Sequence, residues 1–221
     1  MKHIVENTVF VFDLDDTLYS ERDYYLSGIQ AVVDKASMLF KSDVRSLVCK
    51  LIADGEEDLW GGVCKSLGLP DSVKDCLLWE YRLHTPNINL SPEVDRLLNL
   101  LKEHSAGIAV LTDGRIVTQK IKLLALGLDN LPAFISETTG AEKPSQDRFV
   151  EIQDIFEASE FVYLGDNPQK DFLAPNRLGW STYGVRCNGQ NIHSQDVRGL
   201  EKDFLPDHWL SSLIDLRKYL C

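Results

Sequence analysis

The stretch Thr8-Val9-Phe10-Val11-Phe12-Asp13-Leu14-Asp15-Asp16-Thr17-Leu18-Tyr19 decides how this chain is read. Thr8–Phe12 is a short β-branched and aromatic run, the pattern of a buried strand, and it ends in a knot of carboxylates. Side chains alternate along an extended chain, so Asp13 and Asp15 start on the same side. Two carboxylates held close together repel and contribute little to stability. Such a pair can hold a divalent cation, or divide nucleophile and acid/base roles between its members. Alone, the segment also fits a solvated acidic loop behind a strand.

Similar apolar runs recur at Gly107–Leu111, Ala133–Ser136, Phe161–Leu164 and Thr182–Val185. Helical patterns alternate with most of them, at Pro92–Glu103, Val117–Leu126, Gln146–Phe156 and Asp171–Leu178. Strands alternating with helices predict an α/β fold, a Rossmann-like parallel sheet covered by helices on both faces. Ser91-Pro92-Glu93 is a good helix start, with a capping hydroxyl, a proline in the first turn and an acid near the positive end of the dipole. Residues 20–90 break the alternation. Asp23–Phe40, Val44–Ala53, Leu59–Leu67 and Val73–Leu83 all read as helices with no strand between them. This predicts an inserted α-helical domain over 20–90, with 1–19 and 91–221 forming the core and Thr85–Pro92 as the return hinge. Gly189–Leu205 reads as loop, and Trp209–Leu220 as a last amphipathic helix.

The chain has 221 residues, enough for a core domain plus an insert. Its formal net charge of −11 argues against nucleic-acid partners, since phosphate backbones need clustered Lys and Arg. A small anionic ligand needs only a few local donors and is not excluded. Cys49, Cys64, Cys76, Cys187 and Cys221 show no zinc or redox spacing and read as reduced cytosolic thiols. The apolar run after Lys2 and His3 is too short for a signal peptide or a membrane span, so the expectation is a cytoplasmic protein without membrane contact.

Three further polar features follow predicted strands or precede helices. Thr112-Asp113-Gly114 offers a hydroxyl and backbone amides that can hold phosphate oxygens, although a tight turn would look the same. Lys143-Pro144 precedes a helix and could direct an ammonium at an anion. Gly165-Asp166-Asn167-Pro168-Gln169-Lys170-Asp171 places two more carboxylates behind a strand. In an open parallel sheet, ligands bind beyond the carboxyl ends of the strands, where Asp13, Asp15, Thr112 and Asp166 all fall. Several acids there call for a cation, and oxygen ligands suit magnesium.

With these residues in order, the chain resembles the haloacid dehalogenase superfamily, in its phosphatase branch with a helical cap. Asp13-x-Asp15-x-Thr17, Thr112, Lys143 and Gly165-Asp166-x-x-x-x-Asp171 are similar to that family's four motifs. The resemblance implies that Asp13 is a nucleophile and Asp15 a general acid/base. It implies Mg2+ on Asp13, Asp15 (through its backbone carbonyl) and Asp166. Thr112, Asp113, Gly114 and Lys143 would bind phosphate, and Asp171 would orient the site. Asp113 stands where the family more often has Asn; the expectation is that only its backbone amide faces the phosphate. Arg115 is the best guess for a substrate contact. The implied reaction is magnesium-dependent hydrolysis of a small phosphate monoester, a sugar phosphate, nucleotide or phosphorylated small acid, through an aspartyl-phosphate. A phosphomutase of the same fold and a non-catalytic binding protein are the alternatives.

Overall fold

A computed structural model describes residues 5–186 and 191–220. The described chain divides into two compact units: Asp23–Asn87, and the residues before and after it. Cys187 and Cys221 lie outside the described residues; Cys49, Cys64 and Cys76 are free thiols.

The larger unit is built on six parallel strands, β1 (Thr8–Phe12), β2 (Gly107–Thr112), β3 (Ala133–Ile135), β4 (Glu160–Gly165), β5 (Ser181–Val185) and β6 (His208–Leu210). Their order is β3-β2-β1-β4-β5-β6. Every residue of β1 is buried, which is why its sequence shows no polar alternation. The core on one face gathers Val9, Val11, Ala109, Leu111, Phe149 and Tyr163. Phe161 stacks on Trp180 with ring centroids 4.8 Å apart, and Phe149 meets Tyr163 edge-on at 5.1 Å. Such aromatic pairs contribute roughly 0.5–1.5 kcal/mol each beyond area burial. Strand order reverses between β1 and β4, and this reversal opens a crevice at their carboxyl ends.

The smaller unit takes its helices from α1 (Glu21–Phe40), α2 (Val44–Ala53), α3 (Leu59–Leu67) and α4 (Ser72–Leu83). Its own core includes Val32, Ala36, Val48, Trp60, Val63 and Leu77. Asp43 and Asp58 cap α2 and α3 by accepting from the Ser46 and Gly61 amides at 3.1 and 3.2 Å. Of the aromatics in this unit, Tyr24 and Trp60 are buried and Trp79 is exposed.

Back in the larger unit, α5 (Pro92–His104) starts at Ser91, whose hydroxyl accepts from the Val94 amide at 3.2 Å. Then come α6 (Ile116–Ala125), α7 (Ser136–Thr139), α8 (Asp147–Ile155) and α9 (Leu173–Arg177). No helix among the described residues is long and apolar enough to cross a membrane.

The expected last helix over Trp209–Leu220 is corrected. Trp209 lies in β6, which pairs with β5, and a 3-10 helix follows at Leu213–Tyr219. Pairing with β5 outweighs the helical spacing. Asp207 accepts from both the amide and the hydroxyl of Thr182, at 2.9 and 3.2 Å, and so aligns the strand. Ser212 and Asp215 then form a capping box that starts the 3-10 turn.

Candidate active site

Three strand ends deliver the polar groups. The Asp13 amide donates to Leu164 O at 2.8 Å, which carries the β1–β4 ladder one residue past Phe12 and fixes Asp13 at the sheet edge. Thr112 is the last residue of β2, and Asp166 follows the last residue of β4. All three line one cleft of about 210 Å³ in the larger unit, together with Lys143, Asp171 and Asp113. Asp15 and Gly114 also line it.

Lys143 is the buried hub. Its Nζ lies 2.8 Å from Asp13 Oδ1 and 2.6 Å from Asp171 Oδ1, and 3.1 Å from the Tyr163 hydroxyl. Asp171 is in turn fully engaged: its Oδ1 also accepts from Tyr163, and its Oδ2 accepts from the Asn167 amide at 2.7 Å. Gly165 makes room for this carboxylate, since a Cβ there would stand 2.5 Å from Asp171 Oδ2. Burial alone would pull the Lys143 pKa down, but Asp13 and Asp171 outweigh it and hold the ammonium well above its ordinary range. Burial, opposed by Lys143 and reinforced by Asp171, raises Asp13 from 3.8 to about 7. Burial, then repulsion from Asp171 and Asp13, raises Asp166 to about 8.

These acids fit a hard cation. Asp13, Asp166 and Asp171 offer carboxylate oxygens that all lie within 4.8 Å of one another. Anionic oxygen donors that repel one another in a buried cluster are the donor set magnesium takes. Asp171 already has three donors, which leaves Asp13 and Asp166 as the carboxylates open to a metal.

Asp15, on the same cleft, has its carboxylate held by a separate set of donors. Its Oδ1 accepts from Lys122 Nζ at 2.7 Å and from the Tyr19 hydroxyl at 2.5 Å, and its Oδ2 accepts from Lys122 at 2.9 Å and Gln119 Nε2 at 3.2 Å. Glu21 lines the same cleft, and burial, with repulsion from Asp15, raises its carboxyl to about 7. Asp16, at φ 54°, sits in the left-handed region that Asp tolerates, and it accepts from the Glu21 and Ile192 amides at 2.8 Å each.

The Asp113 carboxylate is turned onto Arg148. The Arg148 guanidinium pairs with Asp113 Oδ1, and its Nη1 donates to Thr112 O at 2.8 Å and Phe134 O at 3.2 Å. The Lys143 amide also donates to Asp113 Oδ1, at 3.2 Å. One buried arginine thus ties the end of β2 to the segment that carries Lys143. Breaking a buried pair leaves an uncompensated charge and costs roughly 3–5 kcal/mol. Arg148→Met is expected to lower the urea midpoint by taking the donor from the Thr112 and Phe134 carbonyls, while Asp113 keeps Lys170 at 3.4 Å; Asp113→Asn, which leaves the buried Arg148 charge on neutral carbonyls, should lower it at least as much. Equal midpoints for wild type and Arg148→Met would contradict this.

The other sequence-named residues divide. The Gly114 amide donates to Ser136 Oγ at 2.9 Å. Arg115 is 59% exposed in its side chain and lies 3.7 Å from Glu137; it lines a neighbouring cleft and not the one that holds Asp13. Residues that sequence reasoning missed include Lys122, Gln119 and Arg148, polar members of helical stripes. Asn191 and Gln195, within the stretch read as loop, reach Asp166: Asn191 Nδ2 donates to its Oδ2 at 2.5 Å and Gln195 Nε2 to its backbone carbonyl at 2.8 Å.

The model of the haloacid dehalogenase-like hydrolases matches residues 10–185. The chain belongs to this family. As a haloacid dehalogenase-like hydrolase it is similar to two proteins named glyceraldehyde 3-phosphate phosphatase. That of Methanocaldococcus jannaschii is 25% identical, over 93% of each chain. That of Methanopyrus kandleri is 33% identical over 52% of this chain, and the match spans only about half (50%) of that protein. Among solved structures, the HAD-hydrolase YfnB of Bacillus subtilis, determined with magnesium bound, has a TM-score of 0.66 at 18% identity, covering 97% of this chain and 99% of that one. That likeness is one of fold. The hydrolase fold here is the parallel sheet with its polar groups gathered beyond the carboxyl ends of β1, β2 and β4.

Proposed function

We propose that this hydrolase is a magnesium-dependent phosphatase of small sugar phosphates. The observation that carries the reading is Lys143 Nζ standing 2.8 Å from Asp13 Oδ1 inside a buried acidic cleft. A carboxylate in that setting is a nucleophile for an anionic electrophile only if cations neutralise the approach. The relatives named as phosphatases of a triose phosphate support the substrate class, and the small cleft supports a small ester.

In this reading an Asp13 oxygen attacks phosphorus while the bond from phosphorus to the ester oxygen breaks. Asp15, in its acid form, passes its proton to the departing oxygen. A water then gives its proton back to Asp15 and attacks phosphorus, the Asp13–phosphorus bond breaks, and inorganic phosphate leaves. Lys143 and the Thr112 hydroxyl hold phosphoryl oxygens, and Asp171 holds Lys143 in place. Asp13 and Asp166, with the Asp15 backbone carbonyl, would hold Mg2+. Bound there, the metal would offset the charge between the phosphoryl group and the Asp13 carboxylate.

We assign the helical unit, Asp23–Asn87, the role of a cap that selects among esters. The test of the function is a screen of phosphate monoesters with Mg2+, counting released phosphate. Release of one phosphate per ester consumed is expected; retention of phosphate on a second organic hydroxyl would identify a mutase instead.

Metal binding should be linked to pH. Asp13 and Asp166 titrate at about 7 and about 8 in the fold, against about 3.9 for an unfolded Asp. From about pH 4 to about pH 8 the metal-free fold therefore holds protons that the unfolded chain does not, and its stability falls as pH rises. Magnesium competes with those protons, so its stabilisation grows over the same window. Thermal melts should show a larger magnesium-induced Tm rise at about pH 8.5 than at about pH 6. An equal rise at both would contradict the linkage.

A further inference from the structure

Helix α6 buries Leu123 and, beside it, two polar side chains. Val117 and Leu124 are 44% and 64% exposed, while Gln119 and Lys122 are each only 3% exposed. Gln119 and Lys122 stand three residues apart, so they share one helix face. An amphipathic helix fills that face with apolar side chains, because an unpaired buried ammonium costs several kcal/mol. The polar pair is retained here against that preference, and both members converge on Asp15.

The convergence is geometrically complete. Lys122 Nζ reaches both Asp15 oxygens, at 2.7 and 2.9 Å. Gln119 Nε2 bridges Asp15 Oδ2 at 3.2 Å and Asp113 O at 2.8 Å. Both partners are acceptors, so the orientation of the Gln119 amide is fixed. Gly114, at φ 136°, leaves the space this bridge uses; a Cβ there would stand 2.6 Å from Gln119 Nε2. The Tyr19 hydroxyl supplies a further donor to Asp15 Oδ1. The side chain that has to exchange a proton with two different oxygens during turnover is thus gripped from a helix that begins after the second strand.

We propose that Lys122, assisted by Gln119, is the positioning residue for Asp15, fixing the carboxyl that hands a proton to the leaving oxygen and takes one from water. The proposal rests on the phosphatase reading above. Lys122 acts through Asp15 and does not touch phosphate. Its loss should therefore matter in proportion to how much the leaving oxygen needs a proton. General acid catalysis contributes typically ~10²–10⁴-fold, and misplacing a group by about 1 Å costs on the order of 10²-fold.

The experiment compares wild type, Lys122→Met and Lys122→Arg on two esters with Mg2+ present. Glyceraldehyde 3-phosphate has an alkoxide leaving group that needs a proton; dinitrophenyl phosphate has one that does not. In Lys122→Met, kcat/KM for the alkyl ester should fall by roughly 10²-fold and that for the aryl ester by only a few-fold. Because Asp15 also serves the water step, kcat for the aryl ester should fall and a burst of dinitrophenolate should appear. Lys122→Arg should recover part of the alkyl activity. In an Asp15→Asn background, Lys122→Met should have no further effect on the alkyl ester. Lys122→Gln, which keeps a donor without the charge, gives the same selective loss should the Met variant fail to fold. An equal loss on both esters, or none on either, overturns the positioning role while wild type remains a phosphatase. Hydrolysis of neither ester by wild type overturns the phosphatase reading itself and this role with it.

Discussion

Asp13→Asn is expected to abolish turnover, by on the order of 10⁴-fold or more, with the fold retained. An amide is a poor nucleophile and cannot form the acyl phosphate. The substitution is nearly isosteric, and the Asp13 amide keeps its bond to Leu164 O, so the sheet edge should stay in place. It also removes a carboxylate that burial holds at about 7, so the variant should be no less stable than wild type near neutrality. Mass spectrometry of denatured wild type, mixed beforehand with an activated phosphate ester, should find one phosphoryl adduct, on Asp13. An adduct on any other residue, or unimpaired turnover in Asp13→Asn, would contradict the assigned nucleophile.

Removal of the metal should have an effect of similar size. Chelation with EDTA is expected to stop hydrolysis, and added Mg2+ to restore it. Asp166→Asn should separate the metal from the nucleophile. Among the described residues, the Asp166 carboxylate takes a bond from Asn191 and lies close to Asp13, and no contact with Lys143 ties it to the rest of the cleft. The variant should fold, demand far more Mg2+ for half-maximal rate, and reach a rate lower by roughly 10²-fold or more at saturating metal, as for loss of one charge-stabilising group. Titration of activity against Mg2+ measures both effects. Full activity of wild type after complete removal of divalent cations would sink the metal assignment, and would leave Lys143 as the main cation facing phosphate.

Where the sequence was informative, the reason was local. A strand buried on both faces has to be apolar throughout, so Thr8–Phe12 and Phe161–Leu164 were visible without any partner. The residues that end such strands are then forced to the sheet edge, and polar ones stand out there against the apolar run. This is why Asp13, Thr112 and Asp166 could be named together, and why they line one cleft. Lys143 could be suspected from its place before a helix, but a lone lysine there carries a weak local signature, and its phosphate role came only through the resemblance. Trp209–Leu220 shows the opposite failure: helical spacing was present, but pairing with β5 and the Asp207–Thr182 links took the chain into β6.

By itself the sequence determined the parallel α/β core, the helical stretch between its first two strands, and the carboxylates at the strand ends, because each depends on a run of neighbouring residues. The tertiary structure alone decided which polar side chains are buried and what they hold. Lys122 and Asp15 are 107 positions apart, and Arg148 and Asp113 are 35 apart. In sequence, Lys122 is one of many helical lysines and Arg148 looks like a surface arginine. Burying either charge is unfavourable until the chain brings its carboxylate partner to it, and that meeting has no trace in local periodicity. The departure at Asp113 was visible in the sequence, but the side to which its carboxylate turns was fixed by Arg148, from helix α8, between β3 and β4 in the chain.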